Sequence, residues 1–340
     1  MADANGWERL AAGSAAVRFV DVNLRGAGQV IFQDDPLTGV LFLLAILWGA
    51  LTAGTPAVVA GAVIGLMVAT ATAILLSADA ASLKQGMFGF NGVLVGAAVP
   101  TFLAATPSMW VLLVLGAAVS TVAMLAISNV MKTWGTPALT FPFVLTTWFL
   151  MLAAYSFGAV SIAGMGPPAL AAAAAKASEA TEGGGLAMLD AWLKGPAQVF
   201  LIDNWVSGVL VVIGLAVASP WAAAFALLGS AVALLMAIGL GAGPGAVSAG
   251  LYGFSPVLTA VAVGCVFYRP SMRVALYALL ATAFTVIVQG AMDAAMAPLG
   301  IPSFTAPFVF VTWLFLLPKA RLQPHPHAPI HDGIFQETDR

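Results

Sequence analysis

Long apolar runs separated by short polar breaks fill this chain, and the breaks come in two similar series. The first run covers residues 37–76 and is interrupted at Gly54-Thr-Pro56. That pattern predicts two membrane-spanning helices, 37–53 and 57–77, joined by a tight turn. Asp79 and Lys84 mark a surface, after which Gly86-Met-Phe-Gly-Phe-Asn-Gly92 leads into a third apolar segment, 92–104. Pro107 opens a fourth helix over 109–131, Lys132 to Pro137 reads as a loop, and 140–157 is the fifth span. Five further spans are predicted at 205–219, 221–240, 256–268, 274–292 and 305–318, with the break at Ala218-Ser-Pro220 echoing the one at Gly54-Thr-Pro56.

Three correspondences define an internal repeat. Gln29-Val-Ile-Phe32 pairs with Gln198-Val-Phe-Leu201, the Phe90 motif with Gly250-Leu-Tyr-Gly-Phe-Ser-Pro256, and Thr136-Pro-Ala-Leu-Thr-Phe-Pro-Phe143 with Ile301-Pro-Ser-Phe-Thr-Ala-Pro-Phe308. The offsets are 169, 164 and 165 residues. The segments that follow the Phe90 and Phe254 motifs are too short for comfortable spans, and apolar stretches of about 10–14 residues suggest re-entrant or broken helices. Interrupted segments at matching places in two halves point to a transport site. Because five spans is an odd number, the second half is expected to be inverted relative to the first. The predicted fold is an all-α polytopic membrane protein: two inverted five-span repeats, ten transmembrane helices plus two re-entrant half-helices around a central pore. Residues 1–28 read as a cytoplasmic lead-in, 29–157 as the first repeat, 158–197 as an external connector, 198–318 as the second repeat and 319–340 as a cytoplasmic tail.

Composition agrees with a membrane setting. The chain is 61% hydrophobic and 8% charged, against about 25% charged in soluble domains. A net charge of −2 offers no electrostatic pull toward nucleic acid. The single cysteine, Cys265, lies in an apolar run and reads as a small buried hydrophobe. With the N-terminus in the cytoplasm, ten of the twelve Lys and Arg residues fall on the cytoplasmic side and only Lys176 and Lys194 outside. The expected location is the cell inner (plasma) membrane, among its lipids, with both termini cytoplasmic.

The predicted spans hold almost no ionisable groups at depth. Asp203 and Asp293 sit near span ends, and the three histidines lie in the tail. Pumps and ion-coupled carriers need such groups inside the membrane, so the pattern argues against them. It equally lacks the nucleophile–base pair or metal cluster of a membrane enzyme; no cofactor or metal is expected. A neutral solute moving passively is what remains. The repeated polar groups are Gln29 with Gln198 and Thr140 with Thr305; the repeated apolar ones are Phe32, Phe90, Leu201 and Phe254, with Leu94 and Leu258 one turn on. Two facing apolar side chains about 7 Å apart would leave a slot one flat molecule thick. Edge N–H groups of a planar amide would need acceptors, from free carbonyls at helix C-termini or from threonine hydroxyls.

At these residues the chain resembles the urea transporter family. The family signature Leu-Pro-x-x-Thr-x-Pro-Phe stands once per half, as Thr136-Pro-x-x-Thr-x-Pro-Phe143 and Ile301-Pro-x-x-Thr-x-Pro-Phe308, with only the leading Leu replaced. The resemblance runs from about Gln29 to Pro318, and the chain's length looks more like a bacterial member. It implies passive conduction of urea in a homotrimer with one pore per subunit. It also implies that Phe32 and Phe90 line one slot, Leu201 and Phe254 the other, that Thr140 and Thr305 flank the middle with Leu94 and Leu258, and that Gln29 and Gln198 bind urea at the outer sites. A related small amide or ammonia is the alternative solute.

Overall fold

A computed structural model describes residues 6–169, 185–318 and 322–326. The architecture is all-helical; among the described residues only isolated bridges, Leu103 with Ile162 and Tyr268 with Pro324, take extended pairing. A short amphipathic helix, α1 (Gly6–Gly13), precedes two matching series of seven. The first is α2 (Ala15–Gly28), α3 (Pro36–Thr52), α4 (Pro56–Leu75), α5 (Ala80–Lys84), α6 (Gly89–Phe102), α7 (Pro107–Lys132) and α8 (Phe141–Ala154). The second is α9 (Gly185–Gln198), α10 (Trp205–Ala218), α11 (Pro220–Gly239), α12 (Pro244–Ser248), α13 (Phe254–Val261), α14 (Met272–Met296) and α15 (Ala306–Leu316).

Local chemistry explains the helix starts. Proline opens α3, α4, α7 and α11, where its missing N–H costs nothing. The Asp35 side chain accepts from the Thr38 N–H at 2.7 Å, and Thr106 and Ser219 cap α7 and α11 in the same way. Asp79 caps α5 through the Ser82 N–H, which holds its carboxyl below the usual carboxylate range.

Helices α4, α7, α11 and Met272–Leu299 are each long and apolar enough to cross a bilayer, and Ala15–Ile31 with Pro36–Thr52 forms a bent pair at 73°. Five shorter apolar helices, α6, α8, α10, α13 with its π-helical extension to Val266, and α15, fill the remaining predicted segments. The chain is a multi-pass membrane protein. Helices α8 and α15 hold 14 and 11 residues. At 1.5 Å per residue they reach only about 21 and 16 Å, short of a hydrocarbon core of about 30 Å. The fifth segment of each half is therefore as short as the one that follows the Phe90 or Phe254 motif.

The sequence pattern starts the repeats at Gln29 and Gln198, but regular helix begins upstream in both. Arg25 and Lys194 in these upstream helices are each the centre of an intrachain triad, Asp21–Arg25–Asp34 and Asp190–Lys194–Asp203, with contacts of 2.7–2.9 Å. The triads tie α2 and α9 to the loops entering α3 and α10. The alanine-rich part of the 158–197 connector falls at 170–184, outside the described residues.

The halves meet through reciprocal contacts. Thr38 Oγ1 donates to Gly214 O at 2.8 Å, and its repeat mate Ser207 Oγ donates to Ala45 O at 2.7 Å. Trp148 Nε1 donates to Pro302 O at 3.0 Å, and Trp313 Nε1 to Pro137 O at 2.8 Å. Reciprocal pairs of this kind are what a two-fold relation produces.

Candidate functional site

Two cavities occupy equivalent places in the halves. Gln29, Phe32, Phe90, Pro137, Leu139 and Thr140 line the first, of about 30 Å³. Their mates Gln198, Leu201, Phe254, Pro302, Phe304 and Thr305 line the second, of about 280 Å³. The sequence-predicted residues of each half are thus gathered around one space apiece. Leu94 and Leu258 are the exception: both are fully buried in the helix core and line neither cavity.

Thr140 and Thr305 join the two spaces. Their hydroxyls lie 2.7 Å apart in a buried contact between repeat mates. Each begins a short helix, α8 or α15, without using its side chain as a cap. The hydroxyls are therefore committed to one another rather than to backbone. The sequence leads one to expect helix C-terminal carbonyls around the passage. The structure mixes polarity: α6, α8, α13 and α15 all start here and present N-terminal N–H groups, while α2 and α9 end here.

The cavity walls use unusual backbone. Among the described residues, five non-glycine residues have positive φ, and four of them line the cavities: Phe32 (60°), Leu139 (54°), Leu201 (61°) and Phe304 (48°). The left-handed region costs an L-residue about 1–2 kcal/mol, and such strain clusters where function positions side chains. It also fixes the second-half register. Leu201 shares the left-handed conformation of Phe32, whereas Phe200 is buried and packs on Phe42 with ring centroids 5.3 Å apart. Phe32 sits edge-on to Phe267 and Phe308 at 5.8 and 6.1 Å.

Gln29 and Gln198 are held alike. Gln29 Nε2 donates to Gln85 O at 3.0 Å, and Gln198 Nε2 to Ala249 O at 2.7 Å. Each amide is thereby oriented, with its oxygen left to accept. Sequence reasoning misses Asn91, fully buried, whose Oδ1 accepts from the Phe143 N–H at 3.1 Å and pins the start of α8 to α6. Its signal is an amide within an otherwise apolar segment, directly after Phe90.

The profile of the family described as "Urea transporter" matches residues 20–320. The chain belongs to the urea transporter family. Its similarity to curated members spans nearly all of its length: it is 29% identical to Urea transporter 1 of Ovis aries and 28% identical to that of Capra hircus, each over 96% of this chain and 83% of the relative. It is 27% identical to Urea transporter 1 of Mus musculus over 95% of this chain and 83% of that protein. The urea transporter match covers both cavities and the Thr140–Thr305 contact.

Proposed function

We propose that this chain conducts urea passively across the cell membrane, through a passage that runs from one cavity to the other past Thr140 and Thr305. The contact between these two hydroxyls carries the reading, because it sets hydrogen-bonding groups where the two cavities adjoin. Phe32 with Phe90 forms one slot and Leu201 with Phe254 the other. Gln29 and Gln198, each with its NH2 group held and its oxygen free of that bond, serve the outer sites. Leu94 and Leu258 flank the middle together with Thr140 and Thr305. The alternative solutes are a related small amide and ammonia.

The reciprocal contacts support two inverted repeats of five segments, with the short helices α6, α8, α13 and α15 entering from opposite sides. The charge distribution favours cytoplasmic termini in the inner membrane, and the family resemblance favours a homotrimer with one passage per subunit. The test is urea flux into proteoliposomes, which is expected to exceed that of empty vesicles and to need no gradient of another solute. Flux equal to empty vesicles, with the protein folded and inserted, overturns the proposal. In the same assay Phe90→Ala widens one slot, so the acetamide-to-urea permeability ratio is expected to rise severalfold; an unchanged ratio removes Phe90 from the slot.

A further inference from the structure

The two cavities match position for position except along one wall. The second is lined by Gln289, Asp293 and Ser303; at the repeat offset of 165 their mates in the first half are Met124, Ser128 and Ala138, of which Met124 lines the first cavity. Three apolar or weakly polar positions are thus replaced by an amide, a carboxylate and a hydroxyl on one side only. Ser303 Oγ donates to Asp293 Oδ1 at 2.6 Å, leaving Oδ2 with no protein donor among the described residues. Asp293 has no cationic partner there either. Every other described aspartate does structural work: Asp21, Asp34, Asp190 and Asp203 sit in the two triads, and Asp35 and Asp79 cap helices. Gln289 is 2% exposed; its Nε2 donates to Leu251 O, and its Oε1 is buried without a partner. A buried acceptor left unpaired is costly, and the exposed Asp293 carboxylate beside it, without a cationic partner among the described residues, suits a cationic donor.

We propose that Gln289, Asp293 and Ser303 form a one-sided docking station for flat solutes rich in N–H donors, and that guanidinium-type cations bind there more tightly than neutral amides. This rests on the conduction reading only in supposing that the second cavity opens to solute. A guanidinium presents donors on every edge, so it suits an acceptor set of carboxylate and amide oxygen and has no acceptor of its own to satisfy. The first half, with Met124 and Ala138 at the matching positions, offers no such set.

Thermal unfolding of the purified protein in guanidinium chloride, against sodium chloride at equal concentration in the low millimolar range, reads binding directly. The wild-type midpoint is expected to rise with guanidinium. The shift should be lost in Asp293→Asn and reduced in Gln289→Met, which installs the residue of the first half. Ser128→Asp, in the first half, should not enlarge it. In proteoliposomes, guanidinium on both sides should slow urea flux, with a half-blocking concentration at least fivefold higher in Asp293→Asn. An absent wild-type shift, or a shift and block unchanged in both variants, overturns the station. A shift that follows this pattern in a protein without urea flux would instead overturn the conduction reading and leave the station standing.

Discussion

Urea flux is expected to fall about tenfold when Thr140 is replaced by valine, and by a similar factor for Thr305→Val. Valine keeps the shape of threonine and removes only the hydroxyl. The surviving hydroxyl of the pair, 2.7 Å from its mate in the native protein, then stays buried without its partner. Such a group costs about 1–3 kcal/mol, a factor of roughly 5 to 150 in an equilibrium or rate. Stability and flux should separate in the double variant. Replacing both partners by apolar groups of the same shape can be nearly neutral for folding, so Thr140→Val with Thr305→Val should recover the thermal midpoint lost by each single change. Its flux should stay low, because a solute crossing between the cavities would then meet no hydroxyl at all. Stopped-flow light scattering on liposomes and unfolding in detergent supply the two readings. A double variant that recovers both flux and stability would show that the pair is only a packing contact. Thr140→Ser, which keeps the hydroxyl, is expected to retain most of the flux.

The pairing of those threonines as repeat mates is legible in the residue order alone, because Pro137-x-x-Thr140-x-Pro142 and Pro302-x-x-Thr305-x-Pro307 repeat at a constant offset. Their direct contact is not, since spacing within each half says nothing about distance between halves. The left-handed backbone at Phe32, Leu139, Leu201 and Phe304 is equally hidden. Glycine announces positive φ in a sequence, whereas a bulky residue there is held by its surroundings. Charge alone does not reveal the ion pairs of Arg25 and Lys194, which brace the helices leading to Gln29 and Gln198. The polar wall of the second cavity escapes notice too. Gln289 breaks no apolar period, and Asp293 looks like an ordinary span-end carboxylate.

The largest loss of stability is expected from the smallest substitution, Gly39→Ala, and from its mate Gly208→Ala. A Cβ at Gly39 would lie 1.8 Å from Leu24 O, and one at Gly208 would lie 1.7 Å from Leu193 O. In both halves the obstacle is a backbone carbonyl of the preceding helix, not the end of a side chain that could swing away. Either α2 separates from α3, or α9 from α10, or the carbonyl's own helix distorts. Overpacking by a methyl in a core that yields costs about 1–3 kcal/mol; a rigid carbonyl at this distance should take the cost above that range. The consequence reaches the passage, because the bend between α2 and α3 carries Phe32, and that between α9 and α10 carries Leu201. Each variant should therefore lower the unfolding midpoint by roughly 10 °C or fail to yield monodisperse protein, taking about 2–4 °C per kcal/mol as the guide. Any that fold should show reduced urea flux. Gly290→Ala is the internal control: no atom beyond its own neighbours and helix backbone lies within 4 Å of a Cβ there, and alanine suits a helix better than glycine by about 1 kcal/mol, so its midpoint should hold or rise slightly. Gly39→Ala with a midpoint equal to that of Gly290→Ala would mean that the α2–α3 corner is not packed as tightly as these distances require, and the placement of Phe32 in the cavity wall would fall with it.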